Sequence, residues 1–283
     1  MLAMINRNRA FRLILGWMFD VALPRRPVAT FAKIVGAFSA TLLSAMPTLA
    51  QHQVEENAEH RTSVAVHVNE VELAKFLPEP WKIDTPPSGG RKGYNLILQF
   101  RDRIMDLDAE KNPVAGGSER GLILLVPARN TTTGETGLRV IREYTANPNF
   151  LPGLYKNSKL LSRMHLTQTL EADGVDPGIG KEVWQLQESD GGVANLSFEY
   201  TRGVPKRVNR TYNMYGSTDP KLTRIYHTDQ GLDEVLNTGD KVDRTHDLSL
   251  KITIKELKGM FDGSEKMIYV EILPWYLREV SDP

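Results

Sequence analysis

Between Phe150 and Leu170 the chain reads FLPGLYKNSKLLSRMHLTQTL, and Tyr155, Lys156, Asn157, Ser158, Lys159, Arg163 and His165 crowd into it. It is the densest arrangement of groups able to do chemistry. Its two central lysines keep apolar company: Leu154, Tyr155, Leu160 and Leu161 flank Lys156 and Lys159, and Arg163 follows closely. A neutral lysine amine adds to a carbonyl to form a Schiff base, which then acts as an electron sink. Such an amine needs a lowered pKa, from burial or from a neighbouring cation. The stretch therefore offers Lys156 or Lys159 as a nucleophile, with Tyr155, Arg163 and His165 as groups that contact the substrate. The competing reading is a solvated loop whose basic side chains face water.

Other chemistries find less support. The six histidines are His52, His60, His67, His165, His227 and His246, and no two stand at HxH or HxxxH spacing. His67 and His165 each fall on an expected strand and can converge in space, but no metal site or cofactor is expected. There is no GxSxG elbow, P-loop or GxGxxG; Gly116-Gly117 and Gly191-Gly192 read as turns. The chain has no cysteine, which removes disulfides and thiolate catalysis together.

The elements that must position these groups are mostly strands. Val64, Val66 and Val68 alternate along Thr62–Val68, as on a half-buried strand. Glu70–Phe76 reads as a short helix stopped by Pro78 and Pro80. Further strands are expected at Tyr94–Arg103, Gly121–Pro127, Leu138–Tyr144, Met164–Leu170, Lys181–Gln187, Val193–Tyr200, Thr223–Tyr226, Asp247–Ile254 and Met267–Leu277. Asp190-Gly191-Gly192 marks a hairpin, and Arg202–Arg210 reads as a basic connection. Pro274 favours an edge or a bulge in the last strand. Ile252, Ile254, Ile268 and Val270 suit either a core or a subunit interface. About ten strands with short helices indicate one mainly β domain, a closed barrel or double-layered sheet with an internal cavity for a small-molecule ligand.

The chain has 283 residues with 35 basic and 35 acidic side chains, and residues 1–50 hold six of the bases and one of the acids. The rest is mildly acidic, which argues against a nucleic-acid partner. Residues 34–46, IVGAFSATLLSAM, form an apolar run after Arg25, Arg26 and Lys33 and before Pro47 and Ala50. That order of basic, apolar and small residues is expected of an export signal cleaved after Ala50, with Met18 as an alternative start. The run is shorter than the roughly 20 apolar residues of a membrane span. The domain is therefore expected to be 51–283, periplasmic or secreted, without a stable membrane span, and able to form homo-oligomers.

The order of segments resembles the acetoacetate decarboxylase-like superfamily over most of the body. LAKFLPEPW leads to the strand YNLILQF, then an apolar strand ending LLVPAR, the mid-chain GLYKNSKLL, and the late strand VANLSFEY. The resemblance implies a β-barrel-like cone with a central cavity and a lysine Schiff-base lyase acting on a small oxo-acid. It also implies an acidic partner, for which Glu143 has the matching position. The family's decarboxylases carry two adjacent lysines, whereas here Asn157 and Ser158 separate Lys156 from Lys159. Anchoring on Lys159-Leu160 puts Ser158 in the nucleophile's place; a short insertion puts Lys156 there. The rival expectation is a non-catalytic barrel that binds a small apolar or amphipathic molecule.

Overall fold

Alternating side chains give thirteen strands in a single sheet among the described residues. The computed structural model describes residues 53–148, 157–174, 176–216 and 222–283. The strands are β1 (Gln53–His67), β2 (Trp81–Ile83), β3 (Leu96–Leu107), β4 (Glu119–Asn130), β5 (Thr136–Thr145), β6 (Ser158–Glu171) and β7 (Ile179–Glu188). They continue as β8 (Val193–Thr201), β9 (Lys206–Tyr215), β10 (Thr223–Asn237), β11 (Val242–Asp243), β12 (Thr245–Ile252) and β13 (Lys266–Ser281). Helix α1 (Glu70–Ala74) starts at Asn69, whose side chain accepts from the backbone N–H groups of Val71 and Glu72 at 3.1 and 3.3 Å.

The pairings form a ring. β1 pairs with β3, β3 with β4, β4 with β5, β5 with β9, β9 with β10, β10 with β13, and β13 with β1. A barrel closed this way has no free edge around its wall. β5 is the branch point. Leu138 and Arg139 pair in parallel with Met214 and Tyr215 of β9, while Glu143, Tyr144 and Thr145 pair in parallel with Ser158, Lys159 and Leu160 of β6. From there β6, β7, β8 and β12 form a second layer.

Two apolar cores follow from the period of two. Val64, Leu98, Leu124 and Val270 belong to the same cluster as Trp184, Leu196 and Phe198, which fills the space between the barrel wall and the second layer. Ala65, Ile97, Ile123, Val140 and Tyr269 form the other cluster, inside the barrel. One residue separates Val64 from Ala65 and Leu98 from Ile97, so the same strands serve both cores. Ile252, Ile254 and Val270 lie in the interlayer core, and Ile268 packs against the inner cluster. They serve the core.

Two expectations change, and one pair of alternatives is decided. The basic connection is largely a strand: β9 starts at Lys206 and pairs with β10 along its whole length. β10 runs for 15 residues, far past Tyr226. Pro274 is a bulge, not an edge, because β13 lies between β1 and β10 and both registers step over Pro274 and Trp275. The missing N–H of proline is tolerated where the ladder is already interrupted.

Candidate functional site

The barrel interior is unusually ionic. Arg61 on β1 donates from Nε to Glu59 Oε2 at 2.5 Å and from Nη1 to Gln99 Oε1 at 3.0 Å. Arg101 on β3 donates to Glu119 at 2.5 Å and also to Glu143. Arg103 donates to Asp106 at 2.9 Å, and Arg278 to Glu55. All four guanidinium side chains are almost fully buried. Gly121 makes room for one of them: a Cβ there would meet Tyr144 O at 2.8 Å and Arg101 Nε at 3.3 Å.

Burial alone raises a carboxyl pKa, yet Arg61, Arg101, Arg278 and Arg103 together hold Glu59 well below the usual carboxylate range. Asp106 goes the other way. Burial and the charge of Glu55 outweigh Arg103, and its pKa rises to about 6.

At one end of this interior is a cavity of about 100 Å³. That is small beside the roughly 300–1,000 Å³ of drug-sized sites. Arg91, Arg210 and Glu271 supply its charges; Tyr94, Tyr212, Tyr269 and Tyr276 supply phenols; Ala65, Ile97, Leu138 and Leu273 supply the apolar wall. Arg91 comes from the loop before β3. Its Nη2 donates to Glu271 Oε2 at 2.5 Å and to Tyr269 Oη at 2.9 Å, and the guanidinium lies 4.3 Å from the Tyr269 ring centre. Burial disfavours the Arg91 charge, but Glu271 and Tyr269 more than compensate. The loop sits tightly on the β10–β11 turn, since a Cβ on Gly90 would meet Asp240 Oδ2 at 2.2 Å.

Tyr212 and Tyr276 join through their hydroxyls at 3.0 Å, and Arg61 stacks 3.8 Å from the Tyr276 ring centre. Burial raises the pKa of Tyr94, Tyr212 and Tyr269. They stay neutral and offer hydrogen-bond donors rather than proton-accepting phenolates.

Of the residues singled out from sequence, the described ones (Glu143, Lys159, Arg163 and His165) do not line this cavity. Tyr155 and Lys156 lie outside the described residues. The apolar setting expected for Lys159 is absent, because Lys159 is exposed on β6. It pairs in register with Tyr144, whose ring lies in the interlayer core, whereas Glu143 faces Arg101 inside the barrel. Neighbours on a strand face opposite sides, so Lys159 and Glu143 do not share a site. Arg163 is exposed and lines a depression of about 310 Å³ with Ser118, Arg120 and Asn147. His165 is exposed, its Nε2 3.0 Å from Thr167 Oγ1. His67 Nδ1 lies 2.8 Å from Gly93 O.

Every described lysine is solvent-exposed. Among the described residues no group of three His, Cys, Asp or Glu side chains could hold a metal. No helix among them is long and apolar enough to cross a membrane. Glu143 is fully buried, and its Oε2 has no hydrogen-bond partner among the described residues.

No protein-family model matches the chain, and no curated protein does. Solved structures do. The chain is similar to the enduracididine biosynthesis enzyme MppR complexed with the condensation product of pyruvate and imidazole 4-carboxaldehyde (9% identity, TM-score 0.46, 81% of this chain and 87% of that one). It is similar to an acetoacetate decarboxylase-like enzyme from Sphingomonas wittichii RW1 (8%, 0.44, 87% and 97%). It is also similar to acetoacetate decarboxylase from Legionella pneumophila subsp. pneumophila str. Philadelphia 1 (13%, 0.44, 90% and 98%). At these identities each functional role rests on this chain's own residues.

Proposed function

We propose that the barrel cavity binds a small amphipathic organic acid, and that the protein works as an exported binding barrel. What carries this reading is the composition of the cavity wall. Two guanidiniums face one carboxylate, neutral phenols supply donors, and an apolar side can receive a short hydrocarbon end. The volume confines the guest to a few heavy atoms. Among the described residues no lysine lines the wall, and all the described lysines face solvent.

The test is calorimetric titration with acetate, butyrate, pyruvate and acetoacetate against their neutral amides or esters. The acids are expected to bind and to raise Tm in proportion to saturation. Arg91→Met is expected to weaken that binding about ten- to a hundredfold, the loss of one charge-assisted contact. Equal affinity for acids and neutral analogues, or none for any, would overturn the reading.

A lysine Schiff-base lyase acting on a small oxo-acid is the second reading, and Glu143 favours it. Glu143 is a buried carboxylate inside the barrel, in register with Ser158, the second residue after Lys156. Borohydride reduction in the presence of each oxo-acid, followed by peptide mass spectrometry, separates the two. An adduct on Lys156 that is lost in Lys156→Ala selects the lyase. Protein without an adduct that still binds the acids selects the binding barrel.

Export rests on residues 25–50, whose basic, apolar and small segments form a signal. The exported chain is expected to begin at Gln51 by intact mass; a cell-associated chain retaining residues 1–50 would contradict this.

A further inference from the structure

The second layer ends in two strands with very different edges. β12 is blunted: its register with β8 breaks between His246 and Ser249, and Asp247 sits there at φ 50°. Bulges and charges of this kind discourage a further strand. β6 has one register shift with β7, between Leu161 and Arg163, and is regular from Arg163 to Glu171. It pairs with β7 on one side, and on the other only Ser158–Leu160 meet β5. From Ser162 to Glu171, SRMHLTQTLE, the second edge carries no strand among the described residues. That run has no proline and no glycine, and its only charged side chains are Arg163 and Glu171. Leu170 is 53% exposed, an apolar side chain at an open edge.

We propose that β6 is a dimerisation edge, where two copies of this chain pair antiparallel about a two-fold axis at Thr167. In this register Arg163 lies opposite Glu171 of the partner subunit, and His165 opposite Thr169 of the partner subunit. On the other face Met164 meets Leu170 of the partner subunit, which covers the exposed leucine. Directly opposed residues of an antiparallel pair share a face and lie about 4.5–5.5 Å apart. Sliding the strands by two residues sets the charges against Thr169 and Leu161 one way; the other way sets Arg163 against Asp173, beyond the end of β6, and Glu171 against His165. The charges therefore fix register, while the ladder and the apolar contact supply adhesion. The result joins the two second layers into one continuous sheet, with the same patch used on both subunits.

Sedimentation of the protein is expected to show a dimer. Arg163→Glu places acid against acid twice per dimer and is expected to weaken association at least about tenfold. Arg163→Glu combined with Glu171→Arg is expected to restore it. Because the chain has no cysteine, Thr167→Cys gives a single thiol that meets its own copy at a distance a disulfide can span. It is expected to cross-link on oxidation, whereas Lys251→Cys on β12 is not. These side chains are exposed, and circular dichroism checks that each variant is folded. A monomer at about 100 μM, or a dimer that ignores Arg163→Glu and leaves Thr167→Cys unlinked, would overturn the proposal.

Discussion

Glu182→Ala is expected to lower the unfolding free energy by about 3–5 kcal/mol, the usual loss when one partner of a buried charged network is removed. Glu182 on β7 is fully buried between the barrel and the second layer. Trp184 Nε1 donates to it at 3.0 Å and Gln168 Nε2 at 2.9 Å, Thr62 donates from its hydroxyl, and His60 Nε2 lies 3.1 Å away. Removing the carboxylate leaves donors from both layers without an acceptor. Burial alone would raise the Glu182 pKa, but the bonds from His60, Thr62 and Trp184 hold it below the ordinary value. Its contribution is therefore present above the unfolded-state pKa and lost as pH falls through the lower folded value. Urea titration at pH 7 reads the full loss, and the gap to wild type should narrow in acid. A loss under about 1 kcal/mol at pH 7 would show that the layers do not depend on this carboxylate.

The second large effect is expected inside the barrel. Arg101 serves Glu119 and Glu143 at once, so Arg101→Met leaves two buried carboxylates without their shared cation. A loss of about 3–5 kcal/mol is expected, again by urea titration. Asp106→Asn should act in the opposite sense. Its folded pKa of about 6 exceeds the ordinary 3.8. The carboxyl therefore stabilises the fold below the unfolded value, and that contribution disappears as pH rises through about 6. The asparagine variant should be more stable than wild type at pH 8, by about 2 kcal/mol or less, and lose that advantage near pH 4. Apart from the charges at the cavity, five carboxylates (Glu55, Glu59, Asp106, Glu119, Glu143) pair with four guanidiniums (Arg61, Arg101, Arg103, Arg278) inside the barrel. A neutral side chain at 106 balances the two. If Arg101→Met matched wild type, the interior charges would contribute no net stability.

The strands were legible wherever one face met an apolar core and the other did not. β8 shows it: Ala194, Leu196, Phe198 and Tyr200 are buried and the residues between them are less so. β9 was not legible, because KRVNRTYNMY mixes charge with apolar residues and only Met214 and Tyr215 at its end are buried. An internal cavity was expected, but the residues that line it were missed for a related reason. In QFRDR the alternation sets Gln99, Arg101 and Arg103 against Phe100, and such a pattern ordinarily turns the polar set toward water. Here the barrel closes over that set, and the charges pair across β1, β3, β4 and β5. Ring closure depends on pairings between distant segments, which no local pattern encodes. Phe150–Leu170 drew attention by local density, yet its described cations lie on an exposed strand. The Arg91 and Glu271 that meet at the cavity are 180 positions apart.

The partnership of β1 and β13 bears on when this chain can fold. Gln53 pairs with Ser281 and His67 with Lys266, so the first strand of the barrel waits for the last. At roughly 5–20 residues per second, synthesis separates them by tens of seconds. Until β13 emerges, β1 lacks one neighbour and the ring cannot close. A topology so rich in distant contacts also folds slowly once complete. Both delays hold the chain open, the state that the proposed export would need. The wall becomes a barrel only after the last strand has arrived, on whichever side of the membrane that happens.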